Sequence, residues 1–403
     1  MPRHVLSPSS PLPPASRRIG GLDGLRGLAA LAVVAGNGVV LLASPAAPVR
    51  GHAAVDRPVV AVGLCGLALL FVLSGFLLFR PYVAALVRGR DLPSTRDYYR
   101  NRLLRVVPAW TVVLLLILAL GAAIGGLGGS AQAPAGRAVM VTSWSLAALL
   151  ACYLLLPLLV LLADGISRWR GGVWASACVA LLLLGVGIVA RIGVLVSTDR
   201  RLPPVAVEQP WYGALANSFA ANADLFAMGM VVAVIVVAAR EWLYSDEAIR
   251  RMRRAGAAMM LLSSLGFIAY VEPIEAGPFF GLACAGLLVY LTLPARRSLR
   301  RSTLRVLDSA PLRWLGRVSY SAWLWHVPLL CFLAWRFDWM VAAEPGELLL
   351  RVGAVTALTL VLAHLTQRFI EAPTLGRGRT RQPKDDGAAL SASRAPQRAP
   401  FRA

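Results

Sequence analysis

The sequence predicts an all-α integral membrane protein of about ten transmembrane helices with both termini cytoplasmic. Three observations carry that expectation. Of the 403 residues, 58% are hydrophobic and 15% are charged, a balance foreign to water-soluble domains. A bilayer core about 30 Å thick requires roughly 20 apolar residues per helix, and runs of that length recur along nearly the whole chain. Arginines collect in alternate loops between the runs, as they do in cytoplasmic loops.

Residues 1–20 are rich in Pro and Ser and end near Arg17 and Arg18, so they read as a disordered cytoplasmic tail. The next run is followed by Ala43-Ser44-Pro45-Ala46, which resembles a signal-peptide cleavage site. Its apolar stretch exceeds the roughly 7–15 residues of such a peptide, which makes it a retained first helix. Further spans are expected near 59–86, 108–128, 141–163, 172–195, 216–239, 257–271, 277–294, 317–335 and 347–369, the first lying near 24–46. The inner loops then carry Arg88 to Arg105, Arg168 and Arg170, Arg250 to Arg254, and Arg296 to Arg313. The outer loops hold Asp56, Glu208, Glu272, Glu275, Asp338, Glu344 and Glu347 instead, and an odd number of spans would break this alternation. The stretch 374–403 has no apolar period and reads as a disordered basic cytoplasmic tail that can touch anionic headgroups, leaving 21–373 as the membrane domain.

The formal charge of +21 does not indicate a nucleic-acid partner, because the basic residues are spread among loops and not gathered on one face. All the basic residues but Lys384 are Arg, which reflects composition bias. The five cysteines all fall inside apolar runs with no CxxC pair or histidine at ligand spacing, so they are expected as buried small hydrophobes, with no metal site.

Several polar residues stand where function or packing could claim them. Arg26, in Leu22-Asp23-Gly24-Leu25-Arg26-Gly27, suits a positive-inside anchor. Asn37 lies eleven residues on, about 16 Å of helical rise and close to three whole turns, so the two share a face. Ser74, in Phe71-Val72-Leu73-Ser74-Gly75-Phe76, sits with a glycine that lets helices approach closely. Arg102 and Arg105 are three apart on one helical face at the cytoplasmic surface. They suit the phosphates of a nucleotide-like ligand, and equally a lipid phosphate. His52 and Asp56 are placed in the first outer loop, and His326, in Trp325-His326-Val327-Pro328, near the outer end of the ninth span in an interfacial belt. His364 is expected to pack with a hydrogen bond, and Asp224 to pair with Arg191 between the fifth and sixth spans.

Together these segments resemble acyltransferase family 3, polytopic bacterial proteins that move acyl groups, commonly acetyl, from a cytoplasmic thioester donor to hydroxyls of envelope or secreted glycans. The resemblance continues in order through Ser143-Trp144-Ser145-Leu146, Tyr153 to Pro157, Asp224 to Met230, Leu315 to Pro328 and Arg368-Phe369-Ile370-Glu371-Ala372-Pro373. It implies acyl-CoA as co-substrate with no bound cofactor, a glycan or glycolipid acceptor, and residence in the bacterial cytoplasmic (inner) membrane. Arg102 and Arg105 would bind the donor's phosphates, and Arg26 would help seat it. Three positions depart from the family pattern: Asn37 replaces a histidine, the presumed general base; Ala68 replaces an aspartate; and the acidic residues after Trp-Ser-Leu give way around Leu149 and Leu150. A carboxamide orients a hydroxyl but has no proton affinity near neutrality. Two expectations follow. One is an O-acyltransferase in which another group, His52 or His326 among them, supplies the base. The other is a catalytically silent relative with a binding, scaffold or transport role in an envelope pathway. A secondary transporter is disfavoured by the lack of paired halves with matching broken helices.

Overall fold

A computed structural model of the chain describes residues 19–42, 52–123, 134–197, 218–241, 245–269, 273–293, 298–337 and 345–374, and among them every element is helical. The helices are α1 (Leu22–Leu42), α2 (His52–Arg88), α3 (Thr95–Ala123), α4 (Pro134–Arg170), α5 (Gly172–Ser197) and α6 (Phe219–Glu241). They continue as α7 (Asp246–Ala269), α8 (Pro273–Thr292), α9 (Ser298–Leu307), α10 (Ala310–Arg336) and α11 (Pro345–Thr366). A π turn, Gln367–Glu371, follows α11, and helical backbone continues to Thr374. The expected tails lie outside the described residues, apart from residues 19, 20 and 374.

Among the described residues, seven helices are long and apolar enough to cross a bilayer: α1, α2 from Ala61, α3, α4, α5, α6 and α11. The remaining three expected spans fall within α7, α8 and α10, each helical but each short of that standard for a visible reason. The first half of α7 carries Arg250, Arg251, Arg253 and Arg254, and the apolar part of α8 is confined to Gly277–Thr292. Helix α10 is long but carries Arg313, Arg317 and His326 among its tryptophans.

Helix α6 is the centre of the bundle. Of its apolar stretch, 78% is buried against other helices, compared with 17% for α3. It packs on α2 and α5, while α1 runs between α2 and α10. The outer helices turn Leu115, Leu158, Leu161, Leu182 and Val189 outward, an apolar exterior that suits lipid tails and would be costly in water.

Two crossings explain the glycines of the motifs. A Cβ on Gly75 would stand 2.0 Å from the Phe226 carbonyl, and one on Gly229 at 2.0 Å from that of Val72, so α2 and α6 touch backbone to backbone. At the second crossing a Cβ on Gly316 would meet the Asp23 carbonyl at 2.0 Å, and one on Gly27 the Gly316 nitrogen at 2.6 Å. Helices α1 and α10 are therefore locked in register beside Arg26. Asp308, in the turn between α9 and α10, accepts a hydrogen bond from the Gly21 amide at 2.7 Å and ties the start of α1 to the same place.

Two local expectations need correction. The backbone is already helical at His52, so the segment read as an outer loop extends α2 toward the chain's start, because nothing between His52 and Pro58 stops a helix. Cys178 is exposed on α5, while Cys152 and Cys284 are buried. Apart from Ser176 and Arg191 helix α5 is apolar on every side, so little in its sequence marks which side faces lipid.

Candidate functional site

Arg26 is held by α10. Its Nε donates to Ser319 Oγ at 3.1 Å and its Nη2 to the Gly316 carbonyl, while the Ser319 hydroxyl donates to that same carbonyl at 2.9 Å. Asp23, one turn earlier and half exposed, lies 3.9 Å away. The close glycine crossing places this guanidinium at the helix–helix seam, with one side left for a ligand.

Arg102 is held differently, by rings. Its guanidinium lies 5.9 Å from the Tyr98 ring centre and 5.8 Å from that of Tyr153. The Tyr98 hydroxyl donates to the Tyr153 carbonyl at 3.1 Å, and that of Tyr99 to the Leu154 carbonyl at 2.9 Å, so α3 and α4 are stapled around it. Among the described residues the buried Nε of Arg102 has no hydrogen-bond partner. A buried donor without an acceptor is costly, and an anion in the adjoining space would satisfy it.

That space exists. A cavity of ≈ 200 Å³ is lined by Arg26, Arg102 and Arg105 at its polar side and by Leu67, Phe71, Val106 and their neighbours elsewhere. Tyr153, Ser319, Tyr320 and Trp323 complete its rim, and Tyr320 is fixed by its hydroxyl donating to the Val106 carbonyl at 2.8 Å. Among the described residues no carboxylate lines it. Leu149, in the segment where the family pattern has acids, forms part of the wall. Three guanidinium groups around an apolar-walled space without an acid in the wall make an anion site. Glu371, buried at the end of the π turn, stands within electrostatic range of Arg105 and Arg26 and accepts a hydrogen bond from Ser321. Such π turns recur at functional sites.

The other expected site residues divide. Ser74 lines the cavity, but its hydroxyl donates to the Leu70 carbonyl at 2.7 Å, the back-bond common for serine in a helix. Asn37 is not in the cavity wall. Its Nδ2 lies 3.0 Å from Nε2 of His326, which is buried on α10. Asp224 is far from a role at the arginines: Arg191 donates to its two oxygens at 3.0 and 2.9 Å, the pair expected between those helices. His364 accepts a bond from Trp314 Nε1 at 3.3 Å, as a packed histidine would. The side chains of His52, Asp56 and Ser143 to Leu146 lie outside the described residues. Among the described residues no three His, Cys, Asp or Glu side chains gather around a common point.

Sequence reading assigned no role to Tyr98, Tyr153, Ser319, Trp323 or Glu371, although most of them stand inside the quoted segments. The available signal was position: Tyr98 lies four residues before Arg102 on the same helical face, where a ring and a guanidinium meet.

Compared with known protein families, the sequence matches the family described as an acyltransferase domain over residues 19–367. The chain belongs to acyltransferase family 3. The peptidoglycan O-acetyltransferase OatA of Listeria monocytogenes is 21% identical over 386 residues, covering 89% of this chain and 56% of that protein. The chain thus spans little more than half the length of that relative. No solved structure matches it. Family membership places the three arginines and the cavity in a membrane acyltransferase domain.

Proposed function

We propose that the chain transfers a short acyl group, acetyl by preference, from acyl-CoA to a hydroxyl of an envelope glycan or secreted glycoconjugate. The observation that carries this reading is the three-arginine cavity with the unsatisfied Arg102 Nε, in a chain of this family. Arg102 and Arg105 hold the donor's phosphates, and Arg26 seats it at the foot of α1. Weakly solvated guanidinium groups beside apolar walls attract a polyanion far more strongly than exposed ones would. The walls of Leu67, Leu70 and Phe71 take the thioester end, and a space of ≈ 200 Å³ suits a short acyl chain. That the Listeria relative is a peptidoglycan O-acetyltransferase supports acetyl and a glycan hydroxyl.

In this reading the chain crosses the bacterial cytoplasmic membrane ten times, with α7, α8 and α10 completing the seven apolar spans and both ends inside. Alkaline phosphatase fused to either end and found active would contradict that sidedness.

The test of the activity is turnover. Purified protein in nanodiscs, given labelled acetyl-CoA and an N-acetylglucosamine oligosaccharide, should release CoA and label the sugar. Absence of both, in protein that remains folded, would overturn the reading in favour of a silent relative.

A further inference from the structure

The acyl-transfer reading requires a group that accepts the proton of the attacking hydroxyl, and Asn37 has none to offer. The position where the family pattern has histidine is nevertheless in contact with one. Nε2 of His326 lies 3.0 Å from Asn37 Nδ2, and Nδ1 of the same ring lies 2.6 Å from the Trp323 carbonyl. These two contacts settle the ring's tautomer. A carbonyl only accepts, so Nδ1 carries the proton. A carboxamide nitrogen only donates, so Nε2 presents its lone pair. A neutral imidazole with an unprotonated Nε2 is the state a general base needs.

We propose that His326 is the general base of this chain, the role having passed from the first helix to α10, with Asn37 and the Trp323 carbonyl as its positioning groups. The proposal rests on the acyl-transfer reading above. Asn37 suits both states of the ring. Its amide nitrogen donates to Nε2 while the ring is neutral, and half a turn about its last bond brings Oδ1 round to accept from Nε2–H once the proton has arrived. The Trp323 carbonyl, fixed one helical turn before the histidine, holds Nδ1–H in both states and stabilises the cation.

The placement also fits a two-ended reaction. Trp323 lines the arginine cavity, and His326 lies about one turn further along the same helix. Arg26 and Asn37 are separated by about 16 Å of rise, so a donor whose phosphates sit at Arg26 has to extend along α1 and α10 to bring its carbonyl to Asn37. Asn37 is only partly buried, so a hydroxyl reaches Nε2 by taking the place of its amide.

The hydroxyl oxygen bonds to the thioester carbonyl carbon as its proton passes to Nε2. Collapse of the tetrahedral intermediate breaks the carbon–sulfur bond. The departing thiolate takes the proton from the imidazolium, leaving an ester, free CoA and the neutral ring.

The experiment compares native protein, His326→Gln and the exchanged pair Asn37→His/His326→Asn, all full-length in nanodiscs with acetyl-CoA and the oligosaccharide. His326→Gln should lose at least roughly 100-fold in kcat, while its affinity for CoA, measured by calorimetry, stays within about twofold. The exchanged pair, with a histidine restored to the first helix, should recover to within about tenfold of native turnover. A His326→Gln protein that keeps more than about a third of native kcat would overturn the assignment. So would one that loses CoA binding together with turnover, since that is a structural effect. Should His326→Gln fail to fold, a folded exchanged pair that binds CoA yet does not turn over would overturn it equally. Native protein without turnover overturns acyl transfer itself, whereas native turnover that His326→Gln leaves intact overturns only the base.

Discussion

Arg102 combines three conditions seldom met together: a fixed charge, a position between two tyrosine rings, and a buried Nε without an acceptor among the described residues. Each ring contributes on the order of 0.5–2 kcal/mol to holding the cation. The rings also remove most of the side-chain freedom that a ligand would otherwise have to freeze, so the fork is already aimed when an anion arrives. Lysine would keep the charge and lose both the stacking and the planar fork. Arg102→Lys should therefore raise KM for acetyl-CoA roughly tenfold with kcat within about threefold of native. Steady-state kinetics on the nanodisc protein reads this, and an unchanged KM would remove Arg102 from the donor site.

At the level of helices, the crossing of α1 and α10 does the positioning. It brings Arg26 against Ser319 and Gly316, and further along the same pair Asn37 against His326. A side chain at Gly316 cannot be accommodated, because its Cβ would stand 2.0 Å from the Asp23 carbonyl on a backbone that cannot give way. Gly316→Val should lower stability by about 3 kcal/mol, the upper end of the usual cost of overpacking, and abolish turnover with it. Gly185→Ala, on the open face of α5 with nothing within 4 Å of the new methyl group, should stay within about 1 kcal/mol of native. Thermal melting in detergent separates the two, and equal melting temperatures would contradict the close crossing. The helices themselves were legible in the sequence, since apolar length is a local property. So were Arg26, Arg102 and Arg105, whose charge stands out in an apolar chain. The contact of Asn37 with His326 was not, because the two are 289 residues apart and nothing in either segment encodes which neighbour it meets. Nor was the part of Leu149, which reads as one more apolar residue and is found in the wall of an arginine-lined cavity.

Two sets of charges among the described residues of the bundle contrast with each other. Arg191 and Asp224 satisfy each other between α5 and α6, and Arg88 and Glu241 do so at the ends of α2 and α6, Nε to Oε1 at 2.9 Å. Pairs of this kind hold helices together and leave nothing for a ligand. Arg26, Arg102 and Arg105 instead converge from α1 and α3 on a cavity whose wall contains no acid among the described residues. An apolar bundle that keeps three cations around one space is organised to receive an anion there, and in the acyl transfer proposed above that anion is the donor. Equilibrium binding of CoA to the native protein and to Arg102→Ala is the most direct measurement of this claim. A single saturable site that weakens by roughly 10- to 100-fold in the variant, at unchanged melting temperature, is the expected result. CoA binding that is absent, or equal in the two proteins, would contradict it.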